Sequence, residues 1–307
     1  MSLSYPLTLI MVPRMGDHEL VMGSDDLVEL RDSSDLLEAE NREGLHRRLD
    51  EDGYLLLRGF HSMDLVDRAR DDVLDRLDAE DALDPDHERE AAVISEDASY
   101  VNYGGSGCAY KESMPDLTEL TDGEEVMDFF DWFIGDTAFG YDHTWGRAVP
   151  TDGFTGFHYD RPYMGRGTEE LYTMWRPLVD VPLERGSLLL HLGSHELDRL
   201  RETYGQVDVD ADNIKGIFTQ DPFDLLENFG GVMGTTSFNA GDALIFGPYN
   251  MHGSLSNQTD QYRLSVDTRY QSLRKPADPR WVGCPAPGPD SEGEKTPIAE
   301  MRTQWGL

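Results

Sequence analysis

Gly241-Asp-Ala-Leu-Ile-Phe-Gly-Pro-Tyr-Asn-Met-His252 reads as a Gly-Asp turn, a short buried strand over Ala243–Phe246, and a second turn leading into a histidine. Comparable short runs lie at 141–149, 154–159, 171–177, 187–191, 235–239 and 262–270, with turn signals every ten or so residues. Short strands at regular spacing predict a barrel or sandwich. Helical insertions fit at 195–203, capped by Ser194, and near 221–228.

Upstream the character differs. Gly53-Tyr-Leu-Leu-Leu-Arg58 reads as a buried strand, after which Ser62 caps a helix whose Leu65, Val66, Ala69, Val73 and Leu77 share one face. Val126, Phe129, Phe130 and Phe133 form another helical stripe, read as a core helix packing on a sheet. The expectation is one domain over 1–307. Its parts are a helical N-terminal portion with leading strands (1–140), an all-β core flanked by helices (141–274), and an irregular tail (275–307). The tail carries six of the 16 prolines.

Composition excludes several functions. Sixty acidic residues against 26 basic ones give a net charge of −34, the wrong sign for nucleic acid or an anionic membrane surface. No apolar run approaches the ~20 residues of a membrane helix. The opening at 5–12 lacks a basic leader and reads as a terminal strand, with the cytoplasm as expected compartment. Cys108 and Cys284 show no metal-binding spacing and are expected as free thiols. Only four basic residues are lysines. With acids scattered rather than gathered in one tail, two readings stand: a solvated surface suited to high salt, as in salt-loving organisms, or an acidic face for a basic partner.

The chemistry-bearing segment is Gly156-Phe-His-Tyr-Asp160. On an extended strand, residues two apart project to one face, so His158 and Asp160 offer an imidazole and a carboxylate to a common point. His252 supplies a third ligand from the end of another strand. Two histidines and one carboxylate make the facial triad of oxygen-activating Fe(II) enzymes. Eleven residues after His252 comes Arg263, whose planar fork matches a dicarboxylate bidentately. Zinc bound at the same ligands without turnover is a competing reading, as is an acidic interaction protein needing no triad. Arg263 argues against the first, because a bare metal site has no use for it.

The combination resembles the phytanoyl-CoA dioxygenase family, which includes ectoine hydroxylase-like enzymes. The residues carrying the resemblance are LHRRLDEDGYLLLRGF (45–60), HYD (158–160), MWRPLVDVPLERGSLLLHLGSHE (174–196) and the stretch 241–270. It implies a double-stranded β-helix, a cupin-like jelly roll with Fe(II) inside, and 2-oxoglutarate and dioxygen as co-substrates. His158, Asp160 and His252 fall on the iron-ligand positions and Arg263 on the 2-oxoglutarate arginine. Ser254 and Trp175 fall where relatives often contact the same co-substrate. Because halogenating relatives replace the carboxylate with a small residue, the presence of Asp160 implies hydroxylation. The substrate expected is a carboxylate- or phosphate-bearing small molecule meeting Lys111, Tyr141, His143, Arg161 and Arg269, with Tyr103, Tyr110, Trp145 and Tyr163 also in the pocket.

Overall fold

A computed structural model describes residues 11–96, 98–290 and 294–307. Most of the expected strand at 5–12 lies outside the described residues. The order of the main elements explains where the site sits. Strand β1 (Leu27–Glu29) precedes helix α1 (Arg42–Asp52), strand β2 (Tyr54–Leu57) and helix α2 (Met63–Ala79). Helix α3 (Glu124–Ile134) then leads into β3 (His143–Val149), β4 (Tyr172–Pro177), β5 (Leu188–Leu192), helix α4 (Pro222–Phe229), β6 (Val232–Thr235), β7 (Ala243–Phe246), β8 (His252–Ser254) and β9 (Arg263–Ser272).

Two sheets result. The larger runs β2, β7, β4, β9, β3 and a short strand at Val101–Asn102; the smaller runs β8, β5, β6, β1. Residues of both line one interior cavity, including Thr173, Trp175 and Arg263 from the larger sheet and Leu188, His252 and Gly253 from the smaller. The arrangement is the double-stranded β-helix, with helices on its outer side.

Alternation along the strands decides which face is which. In β2, Tyr54 and Leu56 pack with Leu65, Val66, Ala69, Val73 and Leu77 of α2, while Leu55 and Leu57 pack with Val126, Phe130 and Phe133 of α3. Both faces are apolar because both are covered by helices. Strand β9 is buried throughout and divides differently. Leu264 and Val266 join the core under α2, whereas Arg263, Asp267 and Arg269, at every second or fourth position, face the cavity. The polar face is therefore the inside of the barrel.

Local signals account for the element ends. The Ser62 side chain accepts from Leu65 N at the start of α2 and Asp221 accepts from Phe223 N at the start of α4. Before β7, Gly241 adopts φ +89°, and a Cβ there would lie 2.9 Å from the His61 carbonyl oxygen, so the turn needs glycine. The adjacent Asp242 side chain accepts from Gly59 N, Asn239 N and Arg58, tying β7 to β2.

Several expectations are corrected. The stretch at 154–159 is not a ladder strand; it touches its neighbours through the bridges Phe157↔Thr219 and His158↔His252. The segment at 195–203 is a 3-10 turn (Ser194–Glu196) and a short helix (Asp198–Arg201), because Ser194 Oγ accepts from Met251 N and caps nothing. The strand expected at 235–239 lies earlier, at Val232–Thr235. Cys108 and Cys284 are not free but bridged, their Cα atoms 5.7 Å apart. That pairing ties the chain after β9 to the short helix at Cys108–Ser113. The tail expected to be irregular carries helix α5 (Ile298–Trp305), held by Arg302 against Asp224 of α4 at 2.7 Å. No described helix is long and apolar enough to cross a membrane.

Candidate active site

The central cluster is His158, Asp160 and His252, whose ligand atoms all lie within 4.8 Å of one another. All three side chains are buried. The two histidines face each other because their backbones form a reciprocal pair: His158 N donates to His252 O (2.9 Å) and His252 N to His158 O (3.0 Å). Asp160 arrives by a different route from the one alternation suggests. Its backbone is helical (φ −71°, ψ −28°) and opens the turn Arg161–Met164, with Pro162 at the position where a missing N–H costs least.

Each ligand atom has a defined orientation. His158 Nδ1 lies 2.9 Å from Gly156 O and His252 Nδ1 lies 2.9 Å from Asn250 O. A carbonyl only accepts, so both Nδ1 atoms carry the proton and both Nε2 atoms keep a free lone pair. Those Nε2 atoms stand 3.8 and 4.0 Å from Asp160 Oδ1. Asp160 Oδ2 is turned away and accepts from Thr173 Oγ1 (2.5 Å) and Arg269 Nη2 (2.9 Å). Two imidazole nitrogens and one carboxylate oxygen thus converge with no proton between them, a donor set that fits a divalent metal.

The electrostatics agree. Burial, and then the neighbouring His252, pushes His158 down to about 3, and burial lowers His252 as well. For Asp160 burial raises the pKa, but Arg269 and the two imidazoles outweigh it and hold the carboxyl well below the usual carboxylate range. The cluster is therefore two neutral imidazoles and one carboxylate at neutral pH.

Arg263 lies on the same cavity. It is 1% exposed, its Nη1 donates to Gly186 O at 2.7 Å, and its Nε has no hydrogen-bond partner among the described residues. Among the described residues no carboxylate stands within ion-pair distance of it. Burial, then the nearby Arg147, lowers its pKa to about 10. A buried guanidinium lacking a counter-ion is costly unless an anion from outside completes it. The residues thus fit a carboxylate-bearing co-substrate lying between Arg263 and the metal position.

Other residues singled out from the sequence fall in different places. Trp175 lines the inner cavity, and buried Ser254 accepts from Thr155 N. Lys111 pairs with Asp122 (2.7 Å) and Asp142 (3.5 Å) and lines no part of the cavities described here. Arg161 turns toward Tyr249 and Glu169. Tyr141 is buried beside Met164 and Trp281, and His143 packs between Trp145 and Trp281. Tyr103 donates to Ser265 O, and Tyr110 packs against the core under α2. Arg269 does reach the site, but its charge is spent on Asp160 and Asp267.

Sequence reasoning missed Arg147, Thr173 and Asp267. Each faces inward by strand alternation, a signal available once Trp145, Trp175 and Arg263 set the cavity-facing parity of β3, β4 and β9. It also missed an outer cavity of ≈ 330 Å³ that borders His158 and Asp160 and is lined partly by Trp281, Pro289 and Lys295 of the tail.

A family model described as Phytanoyl-CoA dioxygenase (PhyH) matches residues 49–265. No curated protein matches by sequence. Among solved structures, the epimerase SnoN, in complex with Fe3+, alpha ketoglutarate and nogalamycin RO, is 20% identical with a TM-score of 0.54, covering 84% of this chain and 96% of its own. The carbocyclase SnoK from nogalamycin biosynthesis is 18% identical with a TM-score of 0.55, covering 86% and 98%. EctD from S. alaskensis, with 2-oxoglutarate and 5-hydroxyectoine, is 17% identical with a TM-score of 0.52, covering 86% and 83%. At these identities the likeness is one of fold.

Proposed function

The chain belongs to the phytanoyl-CoA dioxygenase (PhyH) family, and on that premise we propose that it is an Fe(II)- and 2-oxoglutarate-dependent oxygenase that hydroxylates a small molecule. The observation that carries the reading is a buried His-Asp-His cluster whose two histidines line one cavity with a buried arginine that, among the described residues, has no carboxylate partner. When bound, iron and 2-oxoglutarate supply oxidation of the substrate by dioxygen, with carbon dioxide and succinate as co-products.

The chain's own residues have definable tasks. His158 and His252 bind through Nε2, each ring fixed by its Nδ1–H on a backbone carbonyl. Thr173 and Arg269 hold one oxygen of Asp160 so that the other meets the metal. Arg263 binds the far carboxylate of 2-oxoglutarate by a charge-assisted contact. Trp175, Leu188 and Phe246 wall the inner cavity and exclude water from the co-substrate. Asp160 favours hydroxylation over halogenation, because a carboxylate occupies the coordination place a halide would take.

The test is succinate formation. Purified apo-protein given Fe(II), 2-oxoglutarate and dioxygen should release succinate slowly even before a substrate is found, and omission of any one component should abolish it. Tight retention of zinc with no 2-oxoglutarate turnover would instead establish a non-catalytic metal protein.

A further inference from the structure

The outer cavity borders His158 and Asp160, and much of one wall comes from chain beyond the 49–265 stretch that matches the family. Trp281 and Pro289 belong to this C-terminal strap. The Cys108–Cys284 bridge ties the strap down three residues past Trp281. Trp281 is pinned further: its indole N–H donates to Tyr163 O at 3.1 Å, and its ring lies 5.0 Å from that of Trp145. The neighbouring Arg280 is buried against Asp278 and Asp210, each at 2.7 Å.

The charges on the cavity wall are answered by one another. Arg147 is bonded to Asp267, and Arg269 to Asp160 and Asp267. Asp210 accepts from Arg280 (2.7 Å) and Lys295 (2.9 Å). A charged ligand group would have to break one of these pairs or stay unpaired in a desolvated site, and either costs several kcal/mol by general estimates. What remains on offer is uncharged: the apolar and aromatic Trp145, Trp281, Met164, Val209 and Ile217, with the hydroxyl-bearing Thr155 and Tyr163 beside them. Of the residues from which the sequence suggested an anionic substrate, the cations Lys111, Arg161 and Arg269 are all paired within the protein.

We infer that the C-terminal strap is the specificity-determining element of this enzyme, and that it selects an uncharged, ring-bearing small molecule packed against Trp281 and Trp145. The inference rests on the oxygenase reading, which makes the cavity bordering His158 and Asp160 the substrate's place.

The experiment uses the full chain loaded with Mn(II) and 2-oxoglutarate and titrates two probes built on the same naphthalene ring, 2-naphthol and 2-naphthoate, at neutral pH. The neutral probe should bind about tenfold or more tighter than the anion. Trp281→Ala should weaken it about tenfold, while Trp281→Phe, which keeps an aromatic face, should stay within about threefold. Mn(II) and 2-oxoglutarate affinity should be the same in all three proteins. Equal or tighter binding of 2-naphthoate, or binding of neither probe, overturns the inference alone and needs no variant to observe. Failure of the wild type to bind Mn(II) and 2-oxoglutarate overturns the oxygenase reading and this inference with it.

Discussion

Arg269 Nη2 donates to Asp160 Oδ2 at 2.9 Å while its guanidinium lies 4.0 Å from the centre of the Trp145 ring. The same side chain reaches Asp267, which is also bonded to Arg147. One oxygen of the only carboxylate in the triad is thus fixed by a stacked, buried cation, and the other is left facing two imidazole nitrogens. On the proposed reading Arg269 is a positioning residue for the metal.

Replacing Arg269 with leucine should lower Mn(II) affinity about 10- to 100-fold, the usual effect of losing a partner of a metal ligand. Arg269→Lys should recover part of it, since a single charge can still reach Oδ2. Calorimetric titration with Mn(II) reads both, and unchanged affinity in the leucine variant would show that Asp160 needs no such anchor.

Arg263→Gln should act on the co-substrate alone. Removing a buried charge-assisted contact costs about 3 kcal/mol, or roughly 100-fold in 2-oxoglutarate affinity. Metal affinity should stay within about threefold. A variant that binds 2-oxoglutarate like the wild type means that another residue anchors it.

What could be read from the sequence follows a pattern. His158, Asp160, His252 and Arg263 were legible because spacing and turn signals place them without reference to the rest of the fold. Even so, Asp160 reaches the cluster through a helical turn rather than the expected strand. From the sequence Arg269 reads as a substrate contact, since no sequence rule says which acid an arginine will meet. The role of Trp281 was hidden because it depends on Cys108 and Cys284, 176 residues apart, being brought together. Proline and glycine imply an irregular path there, but composition does not say where such a path lies. Lys111 looked like a ligand-binding cation because lysine is rare in this chain, and it proved to be one half of an ordinary ion pair.

A pH effect follows from His61. Arg176 Nε donates to its Nε2 at 2.9 Å, so Nδ1 carries the proton toward Glu125. Burial pushes its pKa down to about 4. Above the unfolded value of about 6.5 both states are neutral and the group contributes nothing. As pH falls below that value the unfolded chain takes a proton that the folded one refuses, so stability declines toward pH 4 by up to about 3 kcal/mol. His61→Gln should lose less stability than the wild type between about pH 7.5 and about pH 4.5. Urea unfolding of both proteins at the two pH values reads the difference, and equal losses would mean that His61 is not held neutral.

Salt should stabilise the protein. At a net charge of −34, self-repulsion opposes compaction and is screened by added ions. The melting temperature should therefore rise as potassium chloride goes from low to molar concentration, as for a surface suited to high salt. A flat or falling melting temperature would favour an acidic face built for a basic partner.

The most direct measurement is anaerobic titration of the apo-protein with Fe(II) and 2-oxoglutarate, watched in the visible spectrum. A metal-to-ligand charge-transfer band should appear, saturate at one iron per chain, and be absent from Asp160→Ala and His252→Ala. Absence of the band in the wild type, with 2-oxoglutarate unbound at saturating iron, would contradict the assignment of His158, Asp160, His252 and Arg263 as one oxygenase site.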